Sequence, residues 1–286
     1  MDTRPPDTKS ICTEVSNWID NVSAGDIQFV PSLPLLQEYV PAMIPGHLWM
    51  LTGYTSSGKS QLISQIICDA AGNHKAPTVV FSLEDSRMEK MMSCISVITG
   101  IHKKPMLLGQ LEYSQLQEMN QAYGVISEWP LWIYDDVRTL IEMESIIQQH
   151  NPKVVVIDYV QNLRLSGSIY ERMSHAALEI FRFPQQYGHT MIGVSQIDNQ
   201  SAKEENEAVI ASKGAGELVA ASHTVIHLKK GRILGKYSDI HLQVKKNKAF
   251  GPCGTIEAQF NKHWTEIELG PHQMHKAKLD ARRIGE

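Results

Sequence analysis

The sequence predicts an α/β fold: a mostly parallel central sheet flanked by helices, closed at its C-terminal end by a β-meander. Three observations carry that expectation. From about residue 45, short apolar runs alternate with stretches of helical period. Runs such as VVVID are apolar at consecutive positions, as strands covered on both faces require. From residue 239 onward, DIHLQVKKNKAFGPCGTIEAQFNKHWTEIEL reads instead as strands joined by glycine turns.

In order, SICTEVSNWIDNV places Ile11, Val15, Trp18, Ile19 and Val22 near helical spacing. A short amphipathic helix is expected there, marginal alone and needing a surface to dock on. HLWMLTG is a strand and KSQLISQIICDAAG a helix ending at Gly72. APTVVFSLE and SRMEKMMSCISVIT form the next strand and helix, followed by PLWIYDD and LIEMESIIQQH. KVVVIDYV is a strand, and ERMSHAALEIFRFPQQYG a helix with an expected kink at Pro184. TMIGVSQ and HTVIHLKK are further strands. The chain thus divides into an arm over residues 1–24, one domain over 25–270 and a tail over 271–286, with residues 1–9 expected to be disordered.

The 286 residues suffice for a sizeable core. A net charge of −4 argues against a strongly basic surface, so any nucleic-acid contact must come from local patches. Four cysteines, with no C-x-x-C pair, suit reduced thiols in the cytoplasm rather than a disulfide or zinc framework. No apolar run approaches bilayer length. The histidines of HQMH, residues 272–275, belong to a solvated tail.

GYTSSGKSQ follows the first strand of the alternating region. Gly53, Gly58, Lys59 and Ser60 meet the pattern G-x-x-x-x-G-K-S. Its glycines let the backbone wrap an anion, while the following helix adds its positive dipole end. Nucleoside triphosphate binding is expected, with Thr55, Ser56, Ser57 and Gln61 completing the loop. Lys59 would face the β- and γ-phosphates, and Ser60 would offer its hydroxyl to Mg²⁺. Asp158 ends a buried strand, where a carboxylate is costly without a partner, and Mg²⁺ is the natural one. Glu84 and Asp85 follow another strand. Asp85 or Ser86 is assigned to the cap of the next helix, and Glu84 to activating the attacking water. Gln196 stands at a third strand tip, placed to sense the γ-phosphate and report to the long polar loop beyond it.

These motifs, in this order, resemble the RecA-like motor domain of DnaB-type replicative helicases, a group that includes phage primase-helicases and the mitochondrial Twinkle helicase. The resemblance spans roughly residues 28–268. It rests on GYTSSGKS, FSLE, VVVIDYVQ, GVSQ, SKGAGELVAASHTVIHL and VKKNKAFGPCGTIEAQF. It implies a ring, usually a hexamer, with ATP and Mg²⁺ between subunits, single-stranded DNA in the centre and movement 5′ to 3′. Primase, polymerase or a loader are the implied partners. By resemblance Glu84 is the catalytic glutamate, Asp158 the Mg²⁺-side aspartate and Gln196 the sensor. The family's K-x-R motif, reaching into a neighbour's site, is matched by Lys246, Asn247 and Lys248, with lysine in place of the arginine finger. Lysine keeps the charge but loses the bidentate fork. Two channel-facing loops are implied, one offering Arg164 and Arg172, the other Lys203, Lys213, Gly214 and Gly216. The chain is expected to stand without the N-terminal domain of the bacterial helicases or the primase of the phage fusions, and its N-terminal helix is expected to dock on a neighbouring subunit. Competing readings are a RecA or RadA-like recombination ATPase, a small-molecule kinase and a ring-forming signalling ATPase of the circadian-clock type.

Overall fold

The computed structural model describes residues 8–25, 27–165, 169–197, 216–234, 237–261 and 265–270. The chain begins with α1 (Thr8–Ala24), a two-stranded ribbon of β1 (Val30–Pro31) and β2 (Ala42–Met43), then β3 (Leu48–Tyr54) and α2 (Lys59–Ile67). β4 (Thr78–Ser82) leads into three helices: α3 (Arg87–Thr99), α4 (Lys103–Leu108) and α5 (Tyr113–Ser127). Next come β5 (Leu131–Tyr134), α6 (Leu140–His150), β6 (Val154–Asp158), α7 (Ile169–Tyr187) and β7 (Thr190–Ile197). The short α8 (Gly216–Ala221) precedes β8 (Thr224–Leu234), β9 (Tyr237–Asn247), β10 (Gly254–Phe260) and β11 (Ile267–Leu269).

Nine strands form one sheet in the order β11-β10-β9-β8-β3-β7-β6-β4-β5. From β8 to β5 all pairings are parallel, and from β8 to β11 all are antiparallel. β8 is therefore the seam, parallel to β3 and antiparallel to β9. The alternating sequence and the terminal meander are two halves of one sheet.

Side-chain alternation divides the core into two layers. Val154 and Val156 of β6 pack with Leu51 and Ile63 on one face. Val155 and Ile157 pack with Met50, Phe81 and Ile180 on the other. Each such fully buried aliphatic contributes about 1.5–3 kcal/mol relative to exposure. These tightly held strands bring their carboxyl ends to one edge.

The strands of the alternating region fall where the apolar runs place them. α2 leaves α-geometry at Cys68 and continues as a π-turn to Asn73. Pro184 lies inside α7, which continues to Tyr187. Ser86, not Asp85, caps α3, in a reciprocal capping box with Glu89. Two regions carry structure that the apolar pattern did not reveal. β1 and β2 are two residues each, too short for any period. α4 and α5 pack against α3 through a separate small cluster of Ile95, Ile101, Met106, Met119, Ala122 and Ile126. α5 buries only Met119, Ala122 and Ile126 of its 15 residues, too sparse a stripe to stand out in the sequence.

α1 has no buried residue. Ile11, Val15, Trp18 and Ile19 are all exposed, and Trp18 meets Phe29 at 6.2 Å between ring centroids. Among the described residues, no helix is long and apolar enough to cross a membrane.

Candidate active site

Gly53 to Ser60 connect β3 to α2 at the carboxyl edge of the sheet. A Cβ on Gly53 would lie 2.7 Å from both the Leu228 carbonyl and the Ser57 hydroxyl, so this position admits only glycine. Gly58 caps α2 in the left-handed region with φ 98° and presses on Phe260, Ile240 and Ile267 of the meander. Ser56 also has a positive φ, 61°. Gln65 locks α2 to β11 reciprocally: its amide donates to the Ile267 carbonyl at 3.1 Å, and its oxygen accepts from the Ile267 N–H at 3.0 Å. Gln61, expected to bind nucleotide, donates its side-chain amide to the Thr265 carbonyl.

Lys59 Nζ donates to the carbonyls of Gly53 at 2.8 Å and Tyr54 at 2.7 Å, folding the lysine over its own loop. Desolvation pulls its pKa down to about 8, against the opposing pull of the Asp158 and Glu84 carboxylates. Those groups thus sit within electrostatic reach of Lys59.

Asp158 ends β6 and is buried. It has the cation that a buried carboxylate needs, but from a residue not singled out in the sequence. Lys90 Nζ lies 2.6 Å from Asp158 Oδ2 and 3.4 Å from Asp85 Oδ2. The Lys90 side chain is only 1% exposed. Burial lowers its pKa, but Asp158 and Asp85 outweigh that and hold it above the ordinary lysine value. The available signal was positional: Lys90 stands four residues before Cys94 on the buried stripe of α3.

Glu84 follows β4 and is exposed at the same edge. Partial desolvation raises its carboxyl pKa, and the neighbouring Asp158 and Asp85 raise it further, while Lys90 and Lys59 pull it back. The backbone before it is pinned. The Leu83 N–H donates to the Asp158 carbonyl at 2.6 Å, and the Leu83 carbonyl accepts from Arg138 Nη1 at 2.9 Å and Asn162 Nδ2 at 3.0 Å. Neither Arg138 nor Asn162 was singled out in the sequence, because each acts only through contacts across the fold.

Gln196 pairs with Gly53 in the β3–β7 register, and its amide donates to the Thr55 hydroxyl. Gln161, in the segment after β6, donates to the Ser195 hydroxyl at 2.8 Å and the Gln196 carbonyl at 3.1 Å. Lys59, Glu84, Asp158 and Gln196 thus converge from four parts of the chain on one edge of the sheet.

The donor set suits magnesium on chemical grounds. Asp158 supplies a carboxylate and Ser60, in the first turn of α2, a hydroxyl. Among the described residues, no cluster of three or more histidine, cysteine or carboxylate ligands forms a closed cage. Mg²⁺ needs no such cluster, since it takes one or two protein ligands and completes its shell with waters and phosphate oxygens.

The residues expected to work away from this edge are less gathered. Lys248 is exposed on the segment after β9. Lys246 Nζ donates to the carbonyls of Val219 at 3.2 Å and Ala220 at 2.6 Å, capping the end of α8 in its own subunit. Arg164 is exposed, its N–H bound to the Arg138 carbonyl at 3.0 Å. Gly216 opens α8. Lys203, Lys213 and Gly214, the side chain of Arg172, and the tail with its HQMH segment lie outside the described residues.

The fold around this edge is shared with solved structures. One solved ATPase domain matches with a TM-score of 0.79 at 17% identity, over 92% of this chain and all of that one. A DnaB-like replicative helicase, solved in a study of its interactions with primase, matches with a TM-score of 0.74 at 17% identity, over 93% of this chain and 67% of that one. A KaiC-like protein from the archaeon Pyrococcus horikoshii matches with a TM-score of 0.60 at 16% identity, over 86% of this chain and all of that one. In sequence, the replicative DNA helicase DnaB of Buchnera aphidicola (subsp. Baizongia pistaciae) is 23% identical over 250 residues, covering 82% of this chain and 54% of its own length. DnaB of Leifsonia xyli is 30% identical over 175 residues, covering 57% of this chain and 38% of its own. The chain thus spans about half the length, or less, of these curated relatives. The family model of the DnaB-like helicase C-terminal domain matches residues 32–268, which hold the nine-stranded sheet up to Glu268 and all of the site-bearing loops. With most of its length inside that match, the chain belongs to the DnaB-like helicase C-terminal domain family.

Proposed function

We propose that this chain is an ATP-hydrolysing DNA helicase motor of DnaB type, working in replication in the cytoplasm as a ring on single-stranded DNA. The observation that carries the reading is the convergence of Lys59, Glu84, Asp158 and Gln196 on one sheet edge beside a glycine-built phosphate loop.

In this reading the loop amides and the α2 dipole hold the triphosphate, and Lys59 exchanges its two carbonyl partners for phosphate oxygens. Ser60 and Asp158 would hold Mg²⁺, and the ion would supply positive charge to the phosphoryl group being transferred. Glu84 orients a water and takes its proton as the oxygen attacks the γ-phosphorus. Its raised pKa makes it a better proton acceptor than an ordinary glutamate. Gln196, held to Thr55, exchanges that contact for the γ-phosphate and passes the change along β7 to the loop beyond it. Lys248 is exposed, as a cation serving a neighbour's site must be. Lys246, the other lysine of that motif, acts as a brace that ties β9 to α8.

The ring is supported by α1. Its exposed Ile11, Val15, Trp18 and Ile19 need a partner, and Leu107, Leu108 and Leu116 on α4 and α5 offer an exposed surface of matching chemistry on a second copy. The hexamer, the channel contacts of Arg164 and Arg172, and a primase, polymerase or loader as partner belong to the same proposal.

A forked duplex with a 5′ single-stranded tail, incubated with protein, ATP and Mg²⁺, tests it. ATP-dependent strand separation, lost in Lys59→Ala, is expected. Strand exchange without unwinding would favour a recombination ATPase instead. ATP turnover indifferent to single-stranded DNA would end the helicase reading.

A further inference from the structure

The buried contact between Lys90 and Asp158 has a consequence for metal binding that rests on the nucleotide site proposed above. The ammonium is 2.6 Å from Asp158 Oδ2 and 3.4 Å from Asp85 Oδ2, on a side chain with 1% exposure. At that exposure, solvent screens the pair far less than it would a surface pair. It comes from α3, whose first turn is fixed by the Ser86–Glu89 capping box. The position of the ammonium is therefore set by the fold and not by a flexible surface chain.

We propose that Lys90 is a resident counter-cation of the magnesium-side carboxylate, holding Asp158 in place and weakening the site's hold on the metal. Two consequences follow from the geometry. Before metal arrives, Asp158 is a buried carboxylate already neutralised, so the edge stays ordered without Mg²⁺. When metal arrives it meets a carboxylate whose charge is shared with an ammonium, and the metal and Lys90 repel one another. Mg²⁺ then binds mainly when the phosphates of a nucleotide add their charge. Lys90 touches no phosphate in this scheme and acts through Asp158, as a positioning residue.

The test is the Mg²⁺ dependence of nucleotide binding, read as fluorescence of a mant-labelled ATP analogue that is not hydrolysed, so catalysis does not enter. Lys90→Gln keeps an N–H donor toward Asp158 but no charge. Lys90→Met removes both. In Lys90→Gln the Mg²⁺ midpoint is expected to fall about tenfold, because one positive charge beside a divalent ion has been removed. Lys90→Met should shift the midpoint the same way and lower the metal-free melting temperature, which saturating Mg²⁺ and nucleotide should restore. Should Lys90→Met fail to fold, Lys90→Gln decides alone. An unchanged or raised midpoint in folded Lys90→Gln overturns the proposal while leaving the nucleotide site intact. Failure of the wild-type protein to bind the Mg²⁺-nucleotide at all overturns both.

Discussion

The Gln161 side chain spans two positions of β7, donating to the Ser195 hydroxyl at 2.8 Å and to the Gln196 carbonyl at 3.1 Å. Gln161 therefore fixes the backbone from which the Gln196 amide reaches Thr55. Replacing it leaves the phosphate loop untouched but loosens Gln196, the proposed sensor. For Gln161→Ala, nucleotide affinity should stay within about twofold, and the net loss of stability should be about 1 kcal/mol. The stimulation of ATP turnover by single-stranded DNA should drop severalfold. Normal stimulation would show that Gln161 plays no part in coupling.

Glu84 is the proposed base, with a pKa raised by desolvation and by Asp158 and Asp85. Glu84→Gln should bind nucleotide as the parent does and lose at least about 10²-fold in turnover. Because the carboxyl protonates at a higher pH than an ordinary glutamate, the acid limb of the kcat profile should lie above the ordinary glutamate pKa. A limb at the ordinary glutamate pKa would remove Glu84 from that role.

Gly53 offers a sharper test of the loop. An alanine Cβ would stand 2.7 Å from the Leu228 carbonyl, which belongs to a strand paired directly with β3 and cannot yield. Gly53→Ala should lose detectable binding of the fluorescent nucleotide while keeping the parent's far-ultraviolet circular dichroism. Retained binding would mean that the loop adjusts in a way this packing does not allow.

Three buried or half-buried histidines make stability depend on pH. Burial lowers His189 to about 3 and His227 to about 4, and burial with the neighbouring His47, Lys248 and Lys246 lowers His223 to about 4. Unfolded, each protonates near the ordinary value of about 6.5. Between those values the unfolded chain binds more protons, so stability is full above about pH 6.5 and falls as pH drops toward the folded pKa values. His189 has neither ring nitrogen hydrogen-bonded, and it alone should contribute a slope of about 1.4 kcal/mol per pH unit in that window. Melting temperatures measured from about pH 7.5 down to about pH 5 should fall, and His189→Leu should flatten the decline. Identical slopes in the two proteins would refute the assignment.

Helix α1 buries nothing in its own subunit. Removing residues 1–24 should convert the proposed ring to monomers in light scattering without changing the melting of the remaining domain. Ile19→Asp should weaken assembly in the same direction. A ring that survives the deletion would mean that the motor domains hold together by themselves.

Much of this was legible in the chain. The phosphate loop, and Glu84, Asp158 and Gln196 at strand ends, follow from local rules: apolar runs place the strands, and a polar residue just beyond a buried strand stands at the sheet's edge. Those rules concern neighbours in sequence, so one sequence determines them. They also predicted that Asp158 needs a cation. What they could not see was which one, because Lys90 lies 68 residues away and meets Asp158 only when α3 packs on the sheet. Gln161 on Gln196, Arg138 and Asn162 on Leu83, Lys246 on α8 and the small core of α4 and α5 are of the same kind. The residue types and their order determined the fold class and the family. Tertiary packing alone decided which charges neutralise one another, since burial and distance are properties of the closed sheet and not of any segment within it.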